Sequence, residues 1–125
     1  MEIFSGRDNG EPTQRRSATF TGDVSVDPLM NADGIALNRV LFAPGGRTYW
    51  HSHERGQVLH VVSGRGLVCA AGGAPQQLHP GDVIWAPPGE VHWHGGSPDA
   101  ALLHLATSLG NTTWLGPVSD ADYSG

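Results

Sequence analysis

Two stretches of the sequence each contain a pair of histidines separated by one residue: GGRTYWHSHERGQ at residues 45–57 and GDVIWAPPGEVHWHGG at residues 81–96. Successive side chains of a β-strand point to opposite faces, so the two members of each pair share a face. His51 and His53 therefore project together, and so do His92 and His94. If both stretches are strands of one small barrel, these imidazoles converge in its interior, where neutral imidazole binds Zn, Mn, Fe, Co, Ni or Cu. Buried core histidines that hydrogen-bond to the backbone are the alternative.

Short apolar runs separated by turn residues fill the rest of the chain. Glycine and proline together account for 27 of the 125 residues, well above the usual share of about 12%, and they are spread along the sequence. This pattern predicts an all-β sandwich or barrel, with a helical turn over 117–123 that Ser119 caps. The predicted strands lie at residues 18–26, 35–43, 47–51, 57–62, 66–71, 83–86, 91–94 and 100–107, and the predicted loops at Asp27-Pro28 and 31–34.

Composition limits the class of protein. The chain has 125 residues, enough for one domain with its own core, and it is 38% hydrophobic and 15% charged, as in soluble globular proteins. The net charge is −5 without a basic stripe, which argues against a nucleic-acid partner. The start has no basic or apolar signal segment, and no apolar run approaches the roughly 20 residues of a membrane span. The single cysteine, Cys69, cannot form an intrachain disulfide, so we expect a cytoplasmic protein without membrane partners.

The spacing within the two histidine stretches resembles the two motifs of the cupin superfamily. The matching residues are Gly45-x5-His51-x-His53-x3-Gln57-x6-Gly64 and Gly81-x5-Pro87-x-Gly89-x2-His92-x3-Gly96. The resemblance implies a double-stranded β-helix, the cupin jelly-roll barrel, over residues 18–108. It also implies one divalent transition metal per chain, held by His51, His53, Gln57 and His92.

Two positions depart from the usual cupin pattern. Gln57 stands where most cupins have glutamate, and Gly96 stands where the second motif ends in asparagine. A glutamate would neutralise half of a divalent charge, whereas glutamine leaves all of it. The ion is then a stronger Lewis acid, but the protein holds it less tightly, so we expect the metal to be lost easily during purification.

A narrower resemblance points to one group of small single-domain cupins. It rests on the runs at residues 50–53, 56–57, 63–66, 80–83, 87–90 and 92–95, and on Trp114, Val118 and Tyr123. These are similar to bacterial manganese-dependent hydroxynitrile lyases and to cupins associated with carboxymuconolactone-decarboxylase domains. That group contains the same exchange of glutamine for glutamate, which implies that Gln57 is a ligand. It implies manganese as the first choice of metal, with iron, zinc, nickel or cobalt as alternatives.

Strand parity suggests which residues line the pocket. Asn38, Val40 and Phe42 alternate on one face of a predicted strand and are candidates for the pocket wall, although Phe42 also suits the core. Tyr49 has the same parity as His51, which predicts either a pocket position or aromatic packing.

Two further histidines are candidate catalytic residues. His94 shares a face with His92 and is predicted to face the pocket. His104 lies in an apolar strand, and it matches a pocket histidine of the narrower group of cupins. For both residues a structural role is the alternative.

The chain divides into three parts on this reading. Residues 1–17 are expected to form a loose arm, residues 18–108 the barrel, and residues 109–125 a C-terminal extension that packs on the barrel. Arg47, at the start of a predicted strand, is expected to face solvent. Apolar outer positions indicate a homodimer or a homotetramer: Val58, Val62 and Trp93.

These residues favour a metal-dependent enzyme that acts on a small organic substrate by Lewis-acid and histidine acid–base chemistry. Resemblance to the hydroxynitrile lyases implies cleavage or synthesis of a cyanohydrin. Two alternatives stay open at this point: an Fe(II)-dependent dioxygenase that uses the same ligands, and a cupin that binds metal and ligand without catalysis.

Overall fold

The computed structural model describes residues 1–5 and 13–125. That part of the chain contains thirteen strands and one short helix. Their bounds are β1 (Gln14–Arg16), β2 (Phe20–Thr21), β3 (Val24–Ala32), β4 (Ile35–Phe42), β5 (Arg47–Thr48), β6 (His51–His53), β7 (Gln57–Gly64), β8 (Gly66–Ala70), β9 (Gln76–Leu78), β10 (Val83–Ala86), β11 (His92–Gly96), β12 (Leu102–Leu109), β13 (Thr112–Trp114) and α1 (Asp120–Ser124). No helix in these residues is long and apolar enough to cross a bilayer.

The strands form two antiparallel sheets that curl around one interior. The first sheet has the order β1-β3-β4-β12-β7-β10, and the second has the order β13-β6-β11-β5-β2, with β8 paired to β11 and β9 paired to β8. Fully buried apolar side chains fill the space between them, among them Val24, Phe42, Leu59 and Leu102. The prediction of an all-β jelly-roll barrel is confirmed.

Alternation along β7 determines which side chains reach the interior. Gln57, Leu59 and Val61 are buried, whereas His60 and Val62 are exposed. The period of two is that of a strand with one face on the core. Gln57 is the first residue of this inward row, so the strand carries its amide directly into the barrel.

The predicted loop at Asp27-Pro28 is wrong, because β3 continues through it. The register between β3 and β4 shifts between Pro28 and Met30, and such a bulge accommodates a proline, which has no N–H to donate to a ladder. The chain reverses later, at Asp33 and Gly34, where both φ angles are positive, 53° and 76°. Asp and Gly are residues that tolerate this left-handed conformation.

The N-terminal arm differs from the expectation in one part. Gln14 to Arg16 form β1, which pairs with β3 at the edge of the first sheet, so these residues belong to the barrel. The rest of the predicted arm includes residues 6–12, which lie outside the described residues.

The C-terminal segment packs against the second sheet. Ser119 caps α1 by accepting a hydrogen bond from the Asp122 N–H, as predicted. Tyr123 on this helix donates from its hydroxyl to the carbonyl oxygen of Gly96 at 2.7 Å, and its ring packs on Trp93 at 5.5 Å. Trp93 is therefore fully buried within the chain. It cannot contribute to a surface for a second subunit, and that part of the expectation is wrong.

Arg47 is buried rather than solvated. Its guanidinium donates to the carbonyl oxygen of Val118 at 2.8 Å and to Asp120 at 2.9 Å, and it lies 4.5 Å from the centre of the Tyr123 ring. No local pattern around Arg47 predicts this burial, since the partners lie more than 70 residues away along the chain.

Gly96, where the cupin pattern has asparagine, has no room for a side chain. A Cβ there would lie 2.6 Å from the carbonyl oxygen of Ala43. The close approach of two backbones at this point explains the glycine.

Candidate metal centre

Three histidines from two neighbouring strands meet inside the barrel. His51 and His53 come from β6 and His92 comes from β11, with His92 directly opposite His51 in the ladder. Each is at most 3% exposed, and the nearest ring nitrogens all lie within 4.8 Å of one another. These three residues could therefore hold one metal ion.

Each of these imidazoles is anchored through its Nδ1 atom. The Nδ1 of His51 lies 2.8 Å from the carbonyl oxygen of Tyr49, and the Nδ1 of His92 lies 3.0 Å from that of Glu90. A carbonyl can only accept, so each Nδ1 carries the proton. The Nδ1 of His53 lies 3.1 Å from the hydroxyl of Thr112. The three Nε2 atoms are left as candidate metal ligands, and such anchoring is characteristic of metal-binding histidines.

Gln57 presents its amide oxygen to the same point. Its Nε2 donates to the hydroxyl of Ser108 at 3.1 Å, and its Oε1 lies 3.0 Å from the Nε2 of His92. The hydrogen bond from the nitrogen turns the oxygen, which is the atom able to bind a cation, towards the three imidazoles.

The imidazoles are neutral at physiological pH. Burial lowers the pKa of His51 to about 3, with a further contribution from neighbouring His92, and lowers the pKa of His53 to about 4. The pKa of His92 is also lowered, mainly by burial. Neutral imidazole is the form that binds a metal.

The donor set fits a divalent transition metal. The Nε2 of His53 is buried and has no hydrogen-bond partner, which is costly unless something else binds it. Imidazole nitrogens and an amide oxygen are borderline ligands suited to several first-row ions, and the arrangement does not identify which ion.

A second pair of histidines lies beside this centre. The Nε2 of His104, on β12, is 2.9 Å from the Nδ1 of His94, on β11. The ring of Phe42 packs edge-on against both imidazoles. The distance between ring centres is 5.8 Å to His94 and 5.1 Å to His104. Burial lowers the pKa of His104 to about 4, and burial together with His104 lowers the pKa of His94 well below its usual value.

The histidines open on a small cavity of about 140 Å³. Drug-sized sites are typically 300–1,000 Å³, so this cavity suits a molecule of few heavy atoms. Its lining comprises Arg16, Phe20, Val26, Ala36, Asn38, Val40, Phe42, Thr48, His51, His53, Gln57, His94, Ala106, Ser108, Thr112 and Trp114.

The structure places most of the predicted pocket residues in this lining, with two differences. Asn38, Val40, Phe42 and His94 line the cavity, while His104 lies behind His94. Thr48 lines it instead of Tyr49. Tyr49 and Trp50 fall between β5 and β6, and this break in the strand invalidates counting parity from His51 back to Tyr49.

Strand parity missed three polar or aromatic contributors to the site. Ser108 orients Gln57, and Thr112 anchors His53. The ring of Trp114 packs against that of His51, with 4.7 Å between the ring centres. Thr112 and Trp114 lie on β13, whose pairing with β6 brings them to the cavity. No local pattern near residue 112 indicates that pairing.

The comparisons with known proteins agree with this geometry. Residues 38–105 match the Cupin domain family. The chain is 46% identical over 111 residues to the (R)-mandelonitrile lyase of Granulicella tundricola, which covers 83% of this chain and 85% of that protein. It is 33% identical over 118 residues to germin-like protein subfamily 1 member 20 of Arabidopsis thaliana, covering 84% of this chain and 53% of that relative, so it spans about half of the relative's length.

Solved structures show the same barrel. A cupin-like protein from Thermotoga maritima superposes with a TM-score of 0.86 and 38% sequence identity, over 93% of this chain and 94% of that one. A polyketide cyclase from Streptomyces resistomycificus gives a TM-score of 0.74 at 21% identity, over 99% and 91% of the two chains, and shares the fold alone. With the histidines of both motifs gathered inside one jelly-roll barrel, these matches show that the chain belongs to the cupin family.

Proposed function

We propose that this protein is a metal-dependent lyase that cleaves or forms a small cyanohydrin. The observation that carries the proposal is that a candidate metal centre lies beside a buried pair of neutral histidines. The described residues that line the cavity include no carboxylate. Its 46% identity to an (R)-mandelonitrile lyase supports the choice of reaction.

In this proposal His51, His53, Gln57 and His92 hold one divalent cation. Manganese is the first choice because the sequence resembles manganese-dependent hydroxynitrile lyases, and iron, zinc, nickel and cobalt suit the same ligands. When bound, the cation supplies a Lewis acid for a hydroxyl or carbonyl oxygen of the substrate. Since every protein ligand is uncharged, none of them neutralises that positive charge.

His94 is the residue that takes the proton. Its Nδ1 is engaged with His104, and its Nε2 is buried without a partner, so Nε2 is the atom available to a substrate. When the Nδ1–H of His94 donates a hydrogen bond to the Nε2 of His104, the Nε2 of His94 carries no proton and can act as a base. His104 then acts as a positioning residue that holds this tautomer and accepts a hydrogen bond from the imidazolium that forms.

The reaction balances with these groups alone. The cyanohydrin hydroxyl gives its proton to the Nε2 of His94, the oxygen lone pair forms the carbonyl, and the bond from carbon to cyanide breaks with its electron pair on cyanide. Cyanide then takes the proton back from His94 and leaves as hydrogen cyanide. Addition of hydrogen cyanide to an aldehyde is the reverse sequence.

The proposal is tested by cyanide release from mandelonitrile with manganese-loaded protein. We expect turnover by the loaded protein, and a loss of about 10²–10⁴ in kcat for His94→Ala, the range for removing a general base. His60→Ala is the matched control, because His60 is exposed on the outer face of β7. Absence of cleavage and of synthesis by fully loaded protein contradicts the lyase proposal. Oxygen uptake by iron-loaded protein would replace it with the dioxygenase alternative.

We also propose an oligomeric state and a cellular location for the protein. Exposed apolar side chains on the outer face of the first sheet, Val62, Val83 and Trp85, support a homodimer or a homotetramer, and light scattering on the purified protein measures which. A buried cysteine without a disulfide partner, Cys69, supports a cytoplasmic location.

A further inference from the structure

A surface groove leads into the cavity at the edge of the first sheet. The groove and the cavity share three lining residues, Arg16, Ala36 and Asn38. The remaining walls of the groove are mostly apolar and include Phe4, Pro28, Leu29 and Met30. A small molecule that spans the groove and the cavity would therefore lie beside Arg16.

The backbone register directs the side chain of Arg16 towards this passage. Arg16 lies directly opposite Val24 in the antiparallel ladder between β1 and β3, and residues opposite one another extend their side chains from the same face of a sheet. Val24 is 1% exposed and belongs to the core. Arg16 therefore leaves β1 on the inner face, and the neighbouring Arg15, opposite Ser25, leaves it on the outer face.

Arg16 is the one charged side chain among the described residues that line the groove or the cavity. Both linings lack aspartate and glutamate, and the histidines of the cavity are neutral. No described residue forms an ion pair with Arg16, whereas Arg39, Arg47 and Arg65 each pair with an aspartate. In a chain with 12 acidic and 7 basic residues, an arginine at the mouth of a cavity that pairs with no acidic side chain of residues 1–5 and 13–125 is available to a ligand.

We propose that the substrate of this site carries a carboxylate, which Arg16 binds at the mouth while the reacting hydroxyl or carbonyl group lies among the histidines. A guanidinium presents paired donors that match a carboxylate, and such charge-assisted hydrogen bonds are the stronger ones in proteins. The amide of Asn38, in the same part of the lining, offers a further donor. The substrate class is accordingly a small acid-bearing cyanohydrin or, in the reverse direction, an oxo acid, and small hydroxy acids serve as unreactive binding probes for it.

This inference rests on the proposed function for the location of the reacting group, but binding tests it separately from turnover. Isothermal titration on the full chain, metal-free and manganese-loaded, compares lactate, 3-hydroxybutyrate and 4-(hydroxymethyl)benzoate with their three amides at one ionic strength. These acids differ in the spacing between hydroxyl and carboxylate. We expect at least one acid to bind about tenfold more tightly than its amide, the effect of one charge-assisted hydrogen bond.

The variants assign that preference to one side chain. Arg16→Gln is expected to abolish the preference of acid over amide, while Arg15→Gln, the matched control on the opposite face, leaves it intact. Arg16→Lys keeps the charge and is expected to retain part of the preference, and circular dichroism checks that all three fold. Equal binding of every acid and its amide by the unmodified chain, or a preference that survives in folded Arg16→Gln, overturns the inference. Failure to cleave mandelonitrile bears on the proposed reaction and leaves this binding ratio unaffected.

Discussion

The four side chains proposed to hold the metal, those of His51, His53, Gln57 and His92, are all uncharged at neutral pH, whereas a cupin site with glutamate includes a carboxylate. Gln57 contributes an amide where a carboxylate is usual, and burial keeps the nearby imidazoles neutral. A buried site without negative charge leaves the full positive charge of a cation for the ligand. In the proposed metal site, the exchange at this one position would therefore favour reactivity of the ion over retention of the ion.

The variant Gln57→Glu tests this balance between reactivity of the bound ion and affinity for it. The variant adds a negative ligand where the hydroxyl of Ser108 can still donate a hydrogen bond, so we expect manganese to bind more tightly and turnover of mandelonitrile to fall. Metal content after dialysis and kcat on fully loaded protein measure the two effects. Looser metal binding in the variant would contradict this account of Gln57.

Thr112 is predicted to support metal binding through His53. Its hydroxyl is the partner of the His53 Nδ1, and loss of such a partner typically weakens metal affinity by about 10–100-fold. We therefore expect Thr112→Val to weaken manganese binding in this range, measured by competition with a chelator. Thr113→Val is the control, because Thr113 is its neighbour in β13 and points to the opposite face. An equal loss in both variants would indicate a general disturbance of the strand.

At the scale of the element, the alternation of side chains along a strand predicted which residues face the interior where the strand is continuous. It failed where a strand is interrupted. It placed Asn38, Val40 and Phe42 on the cavity side because β4 runs without a break over eight residues. It failed at Tyr49, since the chain leaves strand geometry between β5 and β6. A different signal, the turn residues at Asp27-Pro28, wrongly predicted a loop where a bulge carries β3 onward. Local patterns do not encode where a strand is interrupted by its neighbours.

The motif spacing predicted the three histidines that lie together inside the barrel, but the residues that orient the candidate ligands could not be found in this way. Ser108 and Thr112 lie 51 and 59 residues from the side chains that they orient. Contacts at such separation depend on which strands pair, and the pairing of β13 with β6 has no signature in the sequence. The site was therefore predictable at its centre and unpredictable in the residues behind it.

A buried arginine helps to hold the C-terminal segment on the barrel. Arg47→Met removes the donor to the Val118 carbonyl, and leaving such a buried group unsatisfied costs about 1–3 kcal/mol, so we expect a loss of about 2 kcal/mol in the free energy of unfolding. Asp120→Asn should change it little, because the Asp120 side chain is fully exposed and exposed ion pairs contribute little. Urea denaturation measures both variants. Equal losses would place the stabilisation in the ion pair instead.

At the scale of the whole molecule, the buried histidines couple stability to pH. The pKa of His51 is about 3 and that of His104 about 4 in the folded chain, against an ordinary value of about 6.5. Below pH 6.5 the unfolded chain takes up protons on these residues and the folded chain does not, so acid favours unfolding. Stability is therefore complete above pH 6.5 and declines as the pH falls towards 4.

We expect metal-free protein to lose on the order of 2 kcal/mol for each of these two histidines between pH 7 and pH 5. Denaturant titrations at the two pH values measure the loss. His104→Phe, which removes one of the titrating groups, should show a smaller dependence on pH than the unmodified chain. A stability that stays constant over this interval would contradict the burial-driven shifts.

The anchoring of the metal-site imidazoles has a consequence for how this sequence can evolve. His51 and His92 are each oriented by the peptide carbonyl two positions earlier, which every amino acid supplies, so the residues at 49 and 90 are free to vary without disturbing the ligands. His53 depends on a hydroxyl that a single codon change in a distant strand can remove. Genetic drift should therefore be tolerated around His51 and His92, and His53 should require either a retained hydroxyl at 112 or a compensating hydrogen-bond partner elsewhere.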